Sequence, residues 1–367
     1  MKIKRLITAL LAVLLAGTVT ACAGEAGQAA SSTNATSSTS AAGATRTVED
    51  GNGNPVEIPA QVTRVAPAIG AFAELTQIVA GDQPVITAAQ DAQINGAFRK
   101  FLPAYEKSNP KGYAVDNVED LVASGTQVVF GPESVISADQ QAQLKAAGIS
   151  FVPINKMGTV KDLANAAIII GNILGGQAPE RAQQFADYWK GQLDQATKAT
   201  ASLTDRQSIM VVAYQEGAYA TTNKSDISQE YFEAAGLTNA AADIPGSGKT
   251  VSINTEKIVQ LNPDWILASD PASKKAVEAD PALSQLDAVR AGHVLVTPYG
   301  AYLWRVRSGE GALMPMWLVA EIYPEAVGSY DKIAAVKDFW ERWYGYTLSD
   351  DEAAQIFVGQ QVKQAAK

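Results

Sequence analysis

Along the chain, short apolar runs alternate with stretches in which apolar residues recur every three or four positions. The first pattern predicts buried strands and the second amphipathic helices. Residues 62–66, 127–130 and 150–152 read as strands, and residues 71–80 and 138–147 as helices. Ahead of them, Thr47-Val48-Glu49 and Pro55-Val56-Glu57-Ile58 flank Asp50-Gly51-Asn52-Gly53. Turn residues between two β-prone runs predict a hairpin. The alternation that follows argues an α/β architecture with a largely parallel sheet.

From residue 160 to about 201 the pattern becomes purely helical. Leu163, Ala166, Ala167, Ile170, Ile173 and Leu174 lie at helical spacing, then Ala182, Phe185, Ala186, Trp189 and Leu193, with a kink or break expected near Gly175-Gly176. Strand patterning resumes at residues 208–213. The helical stretch therefore reads as a spine between two αβ lobes, spanning 46–158 and 202–367, with 159–201 connecting them. A helical hairpin inside one large domain is the alternative. An internal echo favours two lobes: NVEDLVASGTQVVF at 117–130 matches NTEKIVQLNPDWIL at 254–267 without a gap. In each copy an Asn stands where it would cap a short helix that leads into a buried strand.

The N-terminus carries an address. Lys2, Lys4 and Arg5 precede a 14-residue apolar stretch, residues 6–19, which suits a signal-peptide core and falls short of the roughly 20 residues that span a bilayer. Val19-Thr20-Ala21-Cys22 resembles a lipobox, so residues 1–21 read as a lipoprotein signal and Cys22 as the acylated residue. Residues 22–45 are small and polar, the composition of a flexible tether. The expected location is the extracytoplasmic face of the membrane, on a lipid anchor.

Composition narrows the chemistry. The chain has 367 residues and a formal charge of −9; without residues 1–21, which hold three cations and no acid, it is −12. That surface repels phosphate backbones and argues against nucleic-acid partners. One Cys excludes an intrachain disulfide and a zinc ribbon, and one His excludes multi-histidine metal sites. Gly246-Ser247-Gly248-Lys249-Thr250 imitates a phosphate loop, but Asp243 stands where its first Gly belongs; it reads as a surface loop. His293 reads as a structural residue at a strand edge, and Ser308 in Ser308-Gly309-Glu310-Gly311 as a helix cap. The densest basic and aromatic cluster is Tyr299, Tyr302, Trp304, Arg305 and Arg307. It follows a predicted strand at 294–297, and in open α/β folds such loops face the ligand crevice. Two arginines two apart on an extended loop would reach one anionic ligand together. Tyr214 and Tyr219 join this wall by the same strand-end argument, and residues 66–72 and 131–134 are expected to face it across the crevice.

Five stretches carry a resemblance over nearly all of residues 46–360: RTVEDGNGNPVEIP; the paired NVEDLV and NTEKIVQLNPDWIL; YFEAAGLTNAA; AGHVLVTPYGAYLWRVRSGEGALMPMWLVAEIYPE; and DFWERWYGYTLSDDEAAQIF. The chain is similar to the substrate-binding lipoproteins of ABC importers for ferric siderophores, haem and cobalamin. The resemblance implies two αβ lobes joined by one long helix, a ligand cleft between the lobes, no catalysis and no cofactor. It implies a monomer whose partners are a metal chelate and a permease dimer, with Glu119 and Glu256 as the docking carboxylates of the two lobes. A ferric siderophore is the first expectation for the ligand, with haem, a corrinoid or an oxyanion as alternatives. The rival of another class is a surface-anchored hydrolase, which would need two carboxylates facing each other in the cleft. An interaction module without a small ligand is the third option.

Overall fold

The expected hairpin forms from β1 (Thr45–Glu49) and β2 (Pro55–Pro59), antiparallel. Asp50 closes its turn, with Oδ1 accepting the N–H groups of Asn52 at 2.7 Å and Asn54 at 2.8 Å. Burial opposes the Asp50 charge, but these bonds outweigh it and hold the carboxyl below its ordinary range. The computed structural model describes residues 43–89, 96–112, 117–246 and 250–360. The expected signal segment 1–21, Cys22, nearly all of the expected tether 22–45 and residues 247–249 lie outside these.

The first lobe is built on β3 (Val65–Pro67), the short parallel pair β4 (Ala88–Ala89) and β5 (Lys111–Gly112), β6 (Val128–Gly131) and β7 (Ser150–Pro153). Strands β3, β6 and β7 lie parallel in that order. Its main helices are α1 (Gly70–Ala80), α2 (Val118–Ala123) and α3 (Ala138–Ala146). Helix α3 starts in a capping box: the Ser137 side chain accepts from Gln140 N–H while Gln140 accepts from Ser137 N–H.

The helical stretch breaks at the glycine pair, where the kink or break was expected, into α4 (Val160–Leu174) and α5 (Ala178–Ala199), which pack against each other. Gly175 and Gly176 adopt φ of 73° and 58°, the left-handed region that favours glycine. Gly171 lets the second helix start close by, since a Cβ there would lie 2.8 Å from the Ala178 carbonyl and the Ala182 methyl. Arg46 ties the end of α4 to β1, donating to the carbonyls of Asn172 at 2.8 Å and Ile173 at 2.5 Å. Helix α5 buries Ala178, Ala182, Phe185, Trp189 and Ala196 as one stripe. That stripe packs on α1 from one lobe and on the helices Ser228–Ala234 and Met314–Ile322 from the other.

The second lobe holds β8 (Ser208–Gln215), β9 (Ala218–Thr221), β10 (Thr238–Asn239), β11 (Val251–Ile253), β12 (Trp265–Ala268) and β13 (Val294–Val296). The sheet order is β11-β9-β8-β12-β13, with β10 also paired to β8. Strands β8, β12 and β13 are parallel; β8 and β9 form a hairpin turned by Glu216 and Gly217, both at positive φ, as a tight two-residue turn requires. Helices α6 (Thr255–Leu261), α7 (Pro271–Ala279) and α8 (Met314–Ile322) complete it.

Side chains of the parallel strands alternate between two cores. Val128 and Phe130, Ile209 and Val211, and Leu267 enter one large cluster that runs from Val48 through Phe72, Phe185 and Trp189 to Trp340 and Ile356. Their neighbours face away: Val129 packs with Leu121 and Leu144 of α2 and α3, and Met210, Val212 and Ile266 pack with Ile258 and Val277 of α6 and α7. Both sheets are thus covered on both faces, the condition under which parallel strands persist, and the two lobes share one core through α5.

Candidate functional site

The strand-end rule puts ligand contacts after β12 and β13, and a cavity of about 340 Å³ lies there. Gln215, Tyr219, Thr250, Ser252, Ser269, Asp270, Tyr299 and Arg305 contribute to its wall. Arg305 is its most unusual member: it is 5% exposed, Nη2 donates to Ser269 Oγ at 3.3 Å, and Nε has no hydrogen-bond partner. Among the described residues it joins no ion pair. Burial lowers its pKa, and the charges of Asp226 and Asp270 offset part of that. A desolvated guanidinium at a cavity wall has the donor geometry to pair with an anion.

The predicted cluster divides. Tyr299 and Arg305 line this cavity, whereas Trp304 is 1% exposed, donates Nε1–H to Glu310 at 2.9 Å and packs edge-on against Trp317 and Phe357. It is a core residue, because its flat apolar surface is worth more against other rings than in a wet cleft. Tyr302 turns to the first lobe and packs edge-on against Phe98. Arg307 donates Nε–H to the Met157 carbonyl at 2.8 Å and does not share the cavity with Arg305. The reason is local: residues 301–307 are bends and turns around an isolated bridge at Leu303, so positions two apart do not point the same way. Residues 66–72 and 131–134 do not line this cavity either; Ala66, Ala68, Gly70 and Phe72 are buried, and Gly131 packs its backbone on the Ala68 methyl.

Tyr214 and Tyr219 pair with ring centroids 4.8 Å apart and border a second, more open cavity of about 1000 Å³ between the β8–β9 turn, the start of α6 and α7. Only Tyr219 of the two also borders the smaller one. Burial and the nearby Asp280 push its phenol up to about 12.

Thr250, Ser269 and Asp270 were not read from the sequence as site residues. Ser269 and Asp270 directly follow β12, so the rule that selected Tyr299 selects them too; Thr250 ends the loop first taken for a phosphate-loop imitation. His293 is structural, stacked on Trp265 at 4.1 Å with Nδ1 3.2 Å from the Asp264 carbonyl. Ser308 caps the turn after it, accepting from Glu310 N–H at 3.1 Å. Two carboxylates do meet, Glu74 and Glu310, but both are fully buried, so the hydrolase geometry has no access for substrate.

A second surface stands apart from the cavity. The Asn117 and Asn254 side chains accept the N–H of Asp120 and Lys257, capping α2 and α6. Glu119 and Glu256 follow in the first turns, exposed. Three positions further, on the same helical face, stand Val122 and Val259, at 52% and 39% exposure two of the three exposed large hydrophobics among the described residues.

A family model described as Periplasmic binding protein matches residues 111–299, just over half of the chain. This chain belongs to that family. It is a family of binding proteins, and the relatives named below are binding proteins too. The chain is 32% identical over 117 residues to the ABC transporter substrate-binding lipoprotein YvrC of Bacillus subtilis, 31% of this chain and 36% of the relative. It is 29% identical over 126 residues to the molybdate-binding protein MolA of Haemophilus influenzae, 34% and 35% of the two chains. The matched stretch thus spans about a third of each of these curated relatives. Among solved structures, a periplasmic solute-binding protein from Veillonella parvula superposes with a TM-score of 0.74 at 23% identity, covering 86% of this chain and 97% of that one. Molybdate-bound MolA superposes at 0.70 and 17% identity over 83% and 99%, and Helicobacter pylori CeuE with bound Ni(II) at 0.66 and 19% over 85% and 99%. These likenesses support the two-lobed α/β fold. No described helix is long and apolar enough to cross a membrane.

Proposed function

We propose that this chain is the extracytoplasmic solute receptor of an ABC importer, anchored through acylated Cys22 and the tether 22–45. It acts as a monomer organised as lobes 46–158 and 202–367 about the helical connector 159–201. It captures an anionic metal–oxygen ligand in the cavity after β12 and β13, and delivers it to a permease dimer through Glu119 and Glu256. Arg305 carries the reading. The charges of Asp226 and Asp270 offset only part of the burial of this guanidinium, and an anion entering the cavity would offset more of a cost that reaches several kcal/mol for a buried ion. Tyr299, Ser269 and Thr250 supply hydroxyls for further oxygens of the ligand.

A ferric siderophore is the first reading, since its anionic chelating groups present several oxygens to one cation. A small oxyanion of the molybdate kind is the second. The cavity volume favours it, lying at the low end of the roughly 300–1,000 Å³ usual for small-molecule sites, as does the sequence likeness to MolA. For docking, the echoed Glu–Val pairs support a two-fold partner that offers a cation beside an apolar socket twice. Native mass spectrometry of protein purified from its host, followed by calorimetric titration with a ferric chelate and with molybdate, tests the reading. A co-purifying or tightly titrating anion is the expected result; a neutral ligand, or none, would overturn it.

A further inference from the structure

Glu74 stands in the middle of α1 and Glu310 in the 3-10 turn Gly309–Leu313 that leads into α8, 236 positions apart, both with no exposed surface. They meet at Tyr344, whose hydroxyl lies 2.9 Å from Oε1 of each. A phenol has one proton and donates to one of them at a time. Glu74 Oε1 also accepts from Ser308 Oγ at 3.2 Å and from the Glu310 N–H at 3.0 Å, while its Oε2 has no partner. Glu310 Oε1 accepts the N–H groups of Ala301 at 2.8 Å and Tyr302 at 3.2 Å, and Oε2 accepts the indole N–H of Trp304. Gly300, Gly309 and Gly311 make room for this arrangement: a Cβ would collide with Glu310 at the first, Ile78 at the second and the Tyr231 hydroxyl at the third.

Among the described residues neither carboxylate joins an ion pair. Arg181 of α5 donates to the carbonyls of Ile78, Arg342 and Trp343. Arg342 lies over the rings of Tyr188 and Trp343. On the segment beside Glu310, Arg305 turns to Ser269 and Arg307 to Met157. The phenols of Tyr302 and Tyr231 face the pair, and both are pushed up, by burial first and with Glu74 contributing. Two carboxylates in one dry site cannot both ionise cheaply. Burial pushes Glu74 up to about 7; burial and the Glu74 charge push Glu310 well above its ordinary range. The donors decide where the charge rests. Glu310 has donors at both oxygens, and Oε2 of Glu74 has none, so the proton belongs on Glu74.

We propose that Glu74, Glu310 and Tyr344 are positioning residues for ligand capture: one proton shared by the two carboxyl groups pins the segment Tyr299–Arg307 onto α1. Loss of that proton loosens the segment and weakens ligand binding. The capture half of this rests on the functional reading above, and the pinning half does not.

The test uses the full chain labelled with ¹⁵N-tryptophan, with the Trp304 indole assigned through Trp304→Phe. The wild-type Trp304 indole resonance is expected to titrate as the pair gives up its protons from about pH 7 upward, and the thermal midpoint to fall over the same range. Affinity for sodium molybdate or ferric citrate should fall about tenfold, the equivalent of one pKa unit of linkage. Glu74→Gln, which keeps the shape of the protonated acid, should flatten all three profiles, and Tyr344→Phe should move the midpoint upward by removing a donor to the charged form. A Trp304 resonance that does not move between about pH 5.5 and about pH 9, or one that titrates equally in Glu74→Gln, would overturn the proposal. If neither probe binds at any pH, the functional reading fails, while the indole and melting profiles still decide the pinning.

Discussion

Arg305 and Arg307 are two residues apart and have different work to do. Arg305 faces the cavity with an open Nε; Arg307 ties its segment to Met157. Arg305→Ala should therefore weaken an anionic ligand by roughly tenfold to a hundredfold, the loss of one charge-assisted contact of about 1.5–3 kcal/mol. Arg307→Ala should change affinity by less than about threefold. Calorimetric titration of both variants checks the contrast, and equal losses would return both arginines to the ligand. At this scale the sequence was half legible. The strand-end rule selected the segment 299–307, and its choice among side chains then depended on local direction. Trp304 was drawn inward by Trp317 of the next helix and Tyr302 by Phe98 of the first lobe, which no pattern of neighbours reveals.

Among the elements, most were legible because each carries its own signal: the glycine pair that breaks the helix, the Asn caps of α2 and α6, the alternation of the strands. The β8–β9 turn was not, since Glu216 at φ 52° is held by the hairpin and is no common turn former. Arg46 was also missed, because its task is to satisfy carbonyls at the end of a helix that begins more than a hundred residues later. Arg46→Ala should lower stability by about 1–3 kcal/mol, as helix-end carbonyls lose charged donors; urea unfolding would show it as a lower midpoint with an unchanged slope. For the paired helices, Glu119→Lys with Glu256→Lys should abolish ligand uptake in proteoliposomes bearing the cognate permease and leave ligand affinity within a few-fold. Val122→Asp and Val259→Asp should reduce uptake in the same assay. Collapse of affinity in any of these variants would place the residues at the ligand instead.

For the whole molecule, stability should fall at both ends of the pH scale, for opposite reasons. Glu74, at about 7 against an ordinary 4.5, contributes stability that is full below 4.5 and is lost as pH rises through about 7. Glu352 is the reverse. Burial would raise it, but Lys100 at 2.7 Å, the Ser349 N–H and the Tyr346 hydroxyl hold it at about 2. Its contribution is present above 4.5 and lost as pH falls through about 2. Melting temperature measured across pH should show both flanks, and Glu74→Gln should reduce the alkaline one while leaving the acid one in place.

The shared core has a consequence for how such a chain is made. Glu74 finds Tyr344 only across 270 positions, and Phe72 and Val65 lie in the same cluster as Trp340 and Ile356. The first lobe therefore lacks a wall of its interior until residues 340–356 have been synthesised. On the export route proposed above, the half that emerges first would have no complete core on which to close before the C-terminal segment follows. The same long-range contacts that complete the core are the last that the chain can form.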